Sequence, residues 1–294
     1  MEYHVPVLSQ ESLELLDIQN NEIYIDATLG NGGHTIEMLK KGAIVYGIDQ
    51  DPNNLEIAKE RIKKENLEKN FFPIHSNFNQ LENIVKDQIK NKVSGILIDL
   101  GLSQNQQKAE GRGFSFNDTS SLDMRLDPEK QEVTAEMIIN TASFEDLYKV
   151  FTKYGQEVYS KPLILRIIRE RQKTPIKSGE RLANIIRDYY KQHHIRSKTD
   201  PSTKIFMSLR MVVNDEIENL RNLLKQTLTS IKTKGTVCVI TFHSGEDRVV
   251  KQFIKDNFDN KIIENKSKAI KPKHQEISKN PLSRSATLRS YKII

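Results

Sequence analysis

Four short apolar runs alternate with helix-like stretches over the first hundred residues, and three of the runs stop at or beside an aspartate. They are Ile23-Tyr24-Ile25-Asp26, residues 43–49 ending in Asp49, Phe71-Phe72-Pro73-Ile74-His75, and residues 95–100 containing Asp99. The stretch 52–66 opens with Pro52 and, with Leu67 just beyond it, places Leu55, Ile57, Ala58 and Ile62 at near-helical spacing. Strand–helix–strand alternation of this kind argues for a parallel sheet with helices on both faces. Such sheets bind ligands at the carboxyl ends of their strands, which is where the aspartates fall.

The alternation then stops. Residues 101–130 are polar and contain glycine, and residues 131–230 hold no convincing strand. They read as helices punctuated by Gly155, Pro162, Pro175, Gly179 and Pro201. A strand pattern returns at 236–242, followed by a helix near 246–257 and a last β-like run at 287–294. The polar, lysine-rich stretch 264–285 reads as a loop. The expectation is an α/β domain of the doubly wound type, interrupted after its fourth strand by an all-helical insertion. Its parts would be 1–108, the insertion 109–205, and 206–294.

The net charge of +6 is unevenly spread. Residues 161–210 hold thirteen Lys/Arg against four Asp/Glu, residues 261–294 hold nine against two, and the rest of the chain is net acidic. Basic segments on an acidic body point to a polyanion, most commonly a nucleic acid. Solvated lysine-rich helix faces are the plainer alternative. An apolar content of 37% is enough to build a core. No run approaches the roughly 18 apolar residues of a membrane span, so no membrane partner is expected. The N-terminus lacks the basic start and apolar run of a secretory signal, and cytoplasmic residence is expected. The single cysteine, Cys238, excludes an internal disulfide and a cysteine-cluster metal site. His193-His194 has no acidic or cysteine partner at ligand spacing, so no metal is expected.

The segment Asp26-Ala27-Thr28-Leu29-Gly30-Asn31-Gly32-Gly33-His34 follows the first strand and opens a helix. Two nucleotide-type ligands compete for it. A dinucleotide loop needs G-x-G-x-x-G, and Gly30 and Gly32 fit, but Thr35 stands at the third glycine. An S-adenosylmethionine loop has an acid at the strand end and small residues at +2, +4 and often +6, which Asp26, Thr28, Gly30 and Gly32 satisfy. The missing glycine favours the methyl donor over a nicotinamide cofactor; a plain tight turn is the bland alternative. Asp49 ends the second strand, where a carboxylate accepts ribose hydroxyls with either cofactor. Asp99 ends the fourth, facing the reacting group. A carboxylate there accepts N–H bonds from an amine and favours a pyramidal nitrogen with its lone pair free for attack; capping the following turn is its alternative role.

A longer series of motifs runs in order through the chain. It comprises Asp26 to His34, Asp99-Leu100-Gly101, Arg112-Gly113-Phe114-Ser115-Phe116, and Leu122-Asp123-Met124-Arg125. Leu209-Arg210 with Val213-Asn214, Phe242-His243-Ser244 with Glu246-Asp247-Arg248, and Asn280-Pro281 with Arg284-Ser285 complete it. Together they resemble the bacterial 16S ribosomal RNA cytosine-N(4)-methyltransferase family (RsmH/MraW), from His4 to near Ile294. The chain departs from the family pattern at Asn31, Ser103 to Gln106, Gly111 and Gly245.

The resemblance implies a class I methyltransferase fold with Rossmann-like winding and S-adenosylmethionine as donor. It implies an insertion that recognises RNA, and methylation of the N(4) amine of a decoding-region cytosine in 16S rRNA, in the small subunit or its precursor. Carried over residue by residue, it implies donor contacts at Gly32, Gly33, His34, Asp49, Phe78, Asp99 and Gln106. Asp99, His243 and Asn214 are the catalytic candidates. Asp99 would orient the amine, His243 would accept a proton or orient the base, and Asn214 would bond the base or a phosphate. His243 beside Ser244, an N-cap candidate, also reads as a plain helix entry. Phe114 and Phe116 are candidates for stacking or for core, and Arg166, Arg169 and Arg171 for phosphates or for a solvated face. A ribosome-binding factor on an inactive methyltransferase fold is the non-enzyme rival, against which intact Asp49 and Asp99 argue. The sequence is compatible with a homodimer and does not fix the oligomeric state.

Overall fold

The structure, a computed structural model, describes residues 6–294 apart from the side chains of Gln104 and Lys108. His4, where the family resemblance begins, lies outside the described residues. The chain divides into two compact units, one made of the residues up to Ser103 together with Ile217–Ile294, the other of Gln104–Glu216.

The first unit is built on seven strands: β1 Ile23–Asp26, β2 Ile44–Asp49, β3 Phe71–His75, β4 Val93–Asp99, β5 Ile231–Thr241, β6 Ile263–Asn265 and β7 Thr287–Ile293. Their order across the sheet is β3-β2-β1-β4-β5-β7-β6. The five strands from β3 to β5 are parallel, and β7 runs antiparallel to both β5 and β6. The order reverses at β1, so the gap between β1 and β4 is the switch point where such sheets open a ligand crevice. Successive residues of the central strands face opposite layers. Ile25, Ile48, Ile96, Ile98, Val237 and Val239 are buried in one, and Tyr24, Val45, Leu97, Cys238 and Ile240 in the other. Apolar residues on both faces explain why these runs read as continuous rather than alternating. Cys238 is core, and burial pushes its thiol up to about 12. Pro73 is accommodated because β3 is an edge strand, where a missing ladder N–H is tolerated.

Two details differ from the sequence expectation. β5 begins at Ile231, ahead of the apolar run, across a register shift between Val93 and Gly95. The stretch expected as a loop holds β6, helix His274–Lys279 and a 3₁₀ turn Pro281–Ser285. These are short pieces of polar composition, and β6 owes its strand conformation to pairing with β7.

The second unit is helical, with helices Ala135–Thr141, Phe144–Lys149, Ser160–Lys173, Gly179–Gln192 and Thr203–Val213. Thr134, Ser143 and Ser178 cap three of them by accepting backbone N–H bonds. Pro162 lies in the first turn of its helix, where no intrahelical N–H bond is lost. The expected return to the core at 206 does not coincide with the boundary of this unit. Helix Thr203–Val213 buries Ile205, Phe206, Leu209 and Met211 and packs on the turn Val150–Tyr154 and on helix Ala135–Thr141. It therefore belongs to the helical unit.

Candidate active site

The carboxyl ends of β2, β1 and β4 lie side by side, and each carries an aspartate. Two strand spacings separate Asp49 from Asp99, roughly 10 Å, with Asp26 between them.

The loop after β1 is held from both sides. Ala27 N–H donates to Leu97 O at 2.9 Å and Leu29 N–H to Ile48 O at 2.9 Å. Gly30 and Gly32 adopt left-handed φ angles of 51° and 75°, which favour a residue without Cβ. A Cβ on Gly32 would lie 3.2 Å from that of Ala58. Gly32 caps helix Gly33–Lys40, whose first amides are left to an electron-rich ligand.

Asp49 Oδ2 accepts from Gly30 N–H at 2.8 Å and from the Asn54 side-chain amide at 3.1 Å, while Oδ1 accepts from Asp51 N–H at 2.8 Å. Of about four lone-pair positions on a carboxylate, this leaves room on Oδ1 for one further donor, against the two ribose hydroxyls expected. Burial pushes the Asp49 carboxyl up to about 7, although the amides of Asp51, Gly30 and Asn54 pull it down.

Asp26 is almost fully buried and ties the first strand to the following helix. Its Oδ2 accepts from Thr35 Oγ1 at 2.7 Å and its Oδ1 from Thr28 N–H at 3.3 Å. Thr28 Oγ1 in turn accepts from Asp99 N–H at 2.6 Å, joining the ends of β1 and β4. Burial raises the Asp26 carboxyl above its ordinary value. Asp99 keeps 23% of its side chain exposed, with Oδ2 3.4 Å from Nε2 of the buried His34. Asp99 Oδ1 is buried and accepts no hydrogen bond. Phe78, at the start of a 3₁₀ turn after β3, is half-buried against the core, leaving part of its ring for a ligand.

Several sequence candidates take other positions. His243, not Ser244, is the N-cap of helix Ser244–Asp259. Its Nδ1 accepts from Gly245 N–H at 3.1 Å, and Glu246 Oε2 accepts from the N–H groups of Phe242 and His243. An accepting Nδ1 puts the ring proton on Nε2, so His243 is a donor there, and acting as proton acceptor would require giving up the cap. Asn214 is 3% exposed and committed to its own unit. Its Oδ1 accepts from Leu126 N–H and Gln131 Nε2, and its Nδ2 donates to Met124 O and Arg210 O. All four bonding positions of the amide are used, so a contact to the base or a phosphate would have to displace one of these bonds.

Phe114 is buried, and Phe116 stacks edge-on with Phe206 at 4.8 Å, so both serve the helical unit's packing. Arg171 donates to Ile139 O and Ala142 O, which withdraws it from the phosphate candidates. Arg166 pairs with Glu170 at 3.4 Å, while Arg169 is exposed. Gln106 is buried and belongs to the helical unit. Asn54 and Thr35 hold the two strand-end acids and were not singled out from the sequence. The acid they serve is visible there, but a partner five or nine residues away is not.

The residues fit S-adenosylmethionine: a glycine cradle held at left-handed φ angles, a strand-end carboxylate with an acceptor position left, and a partly exposed second carboxylate two strands on. A parallel sheet in the order 3-2-1-4-5-7-6 with strand seven reversed is the architecture of class I S-adenosylmethionine-dependent methyltransferases, and this chain is one. The MraW methylase family matches residues 1–294, and the chain belongs to that family. It is 40% identical to ribosomal RNA small subunit methyltransferase H of Thermosipho melanesiensis, covering 97% of this chain and 96% of that protein. It is 37% identical to the protein of the same name from Halothermothrix orenii, covering 97% of each. Among solved structures, a putative rRNA methylase from Clostridium thermocellum covers 100% of both chains with a TM-score of 0.50 and 12% identity, a likeness of fold. Among the described residues no helix is long and apolar enough to cross a membrane.

Proposed function

We propose that this protein transfers a methyl group from S-adenosylmethionine to the exocyclic N(4) amine of a cytosine in the decoding region of 16S rRNA, within the small subunit or its precursor. The observation that carries the reading is likeness along essentially the whole chain to relatives named for small-subunit rRNA methylation. The partly exposed Asp99 at the end of β4 supports an amine as the acceptor.

When bound, the donor supplies a methyl group on a positively charged sulfur, a strong leaving group, so the protein's task is mainly alignment. In this reading Asp49 accepts a ribose hydroxyl, Gly32 and Gly33 let the backbone approach, and Phe78 lines the adenine. Asp99 accepts an N–H bond from the cytosine amine as its nitrogen becomes tetrahedral. His243 donates from Nε2 to the base or a phosphate. The test is transfer of tritiated methyl to small subunits that lack the modification, followed by nucleoside analysis. Label in N(4)-methylcytidine is expected; label in another nucleoside, or none, overturns the reading.

Donor affinity should depend on pH through Asp49. A hydroxyl donates to the ionised carboxylate, so binding favours the deprotonated form and affinity rises with pH. With the free carboxyl near 7, affinity should increase about tenfold between pH 6 and pH 8. Asp49→Asn should remove that increase; calorimetry on both proteins reads the difference, and parallel curves would take Asp49 out of the ribose site. In the ligand-free protein the same raised value means that folding stability from this group is present at acid pH and lost as the pH rises through about 7.

The basic helical unit should carry phosphate contacts. Lys191, Arg196 and Lys198 are exposed near the end of helix Gly179–Gln192. Changing all three to Gln should lower the slope of log affinity for 16S rRNA against log salt by about 2, from roughly 0.7 per lost phosphate contact. An unchanged slope would mean that these side chains only face solvent.

A further inference from the structure

The buried His34 imidazole has surroundings that call for a role beyond the donor contact implied by the family resemblance. It lies in the first turn of helix Gly33–Lys40, where the helix N-terminus disfavours a cation. Burial disfavours one too, since the ring is 6% exposed. Yet three acidic groups face it from three elements: Asp26 at the end of β1, Asp99 at the end of β4, and Glu276 on helix His274–Lys279. Although burial lowers its basicity, these carboxylates raise the His34 imidazole above its ordinary value. Neither ring nitrogen makes a hydrogen bond, and Nε2 stands 3.4 Å from Asp99 Oδ2. Asp26 is held elsewhere, by Thr35 and Thr28, so the carboxylate His34 can influence at the partly exposed edge is Asp99.

We propose that His34 is a positioning residue for methyl transfer: as an imidazolium 3.4 Å away it holds the Asp99 carboxylate fixed at the carboxyl edge of β4, ready to accept the N–H of the methyl acceptor. His34 thus acts through Asp99 and not on the reacting atoms. The inference rests on the reading of Asp99 given above.

Its test has two parts. In isotope-labelled wild-type protein without RNA, the His34 imidazole, assigned by comparison with His34→Gln, should keep its proton above the ordinary histidine range. In Asp99→Asn its titration should fall by about one pH unit or more, because the neighbouring charge is gone while burial remains. A wild-type imidazole already neutral at pH 7, or a titration unmoved in Asp99→Asn, overturns the proposal. The second part is the rate of single-turnover methyl transfer at saturating donor and RNA, set against KM for RNA. His34→Gln keeps a hydrogen-bonding side chain without the charge, so the saturated rate should fall by about tenfold while KM for RNA stays within about threefold of wild type. A saturated rate within about threefold of wild type, or a defect confined to KM, overturns the proposal. If His34→Gln fails to fold, the same resonance is assigned by its loss in His34→Asn, and the titration in Asp99→Asn still decides. That titration contains no RNA, so its failure is a failure of the His34–Asp99 coupling; failure of the cytosine reading shows separately in the nucleoside analysis.

Discussion

Replacing Asp99 by Asn should slow the chemical step by on the order of a hundredfold or more, as expected for loss of a group that stabilises charge in the transition state. The substitution keeps the side chain's shape and leaves the backbone bond from Asp99 N–H to Thr28 Oγ1 intact, so the end of β4 should stay in place. What it removes is a negative charge at a side chain that retains 23% exposure. The attacking amine gains positive charge as the carbon–nitrogen bond forms, and the interaction with a carboxylate strengthens along that path. The loss should therefore fall on kcat more than on KM. Asp99 also lies where the donor's amino group could be held, which would add a binding defect. Single-turnover rates at saturating donor and RNA separate the two effects. A saturated rate within about threefold of wild type corresponds to less than 1 kcal/mol and removes Asp99 from the chemistry.

The sheet was legible because its information is local. Each strand from β1 to β4 is a short apolar run, and Asp26, Asp49 and Asp99 mark their ends within one or two residues. Fold class follows from that alternation, and the glycine spacing narrows the ligand. β6 was not legible, since Ile263–Asn265 is three residues long with polar neighbours and gains its strand conformation from pairing with β7. The cap of helix Ser244–Asp259 was placed one residue late, because Ser is the commoner cap type and an imidazole accepting through Nδ1 leaves no mark in composition. Arg171 sits among residues that read as a basic face, yet its hydrogen-bond partners are the carbonyls of Ile139 and Ala142, about thirty residues away. Side-chain commitments across such distances are decided by packing, which a single sequence does not display. The likeness to a methyltransferase family brought His34 and Asp99 forward as separate ligand contacts. Only their 3.4 Å separation ties them to each other.

The same limit is sharpest at Asn214, and it yields the largest expected effect on stability. Asn214 ends helix Thr203–Val213, and its amide reaches back some ninety residues to the loop containing Met124 and Leu126. Asn214→Leu has similar volume but no bonding capacity. It would leave the Leu126 N–H and the Met124 carbonyl buried without this partner, and would release Gln131, which donates to the same amide. At about 1–3 kcal/mol for each orphaned buried group, a loss of about 3–5 kcal/mol is expected. At about 2–4 °C per kcal/mol for a protein of this size, the melting temperature should fall by about 10 °C. Two compact units need not melt together, so hydrogen exchange gives the sharper reading. Peptides covering 122–131 and 203–216 should lose protection while β1, β2 and β4 keep theirs. Donor binding should persist, because Asp49 and the glycine loop belong to the other unit. A variant that melts at the wild-type temperature, keeps protection at 122–131 and loses only turnover would show that Asn214 contacts the substrate after all.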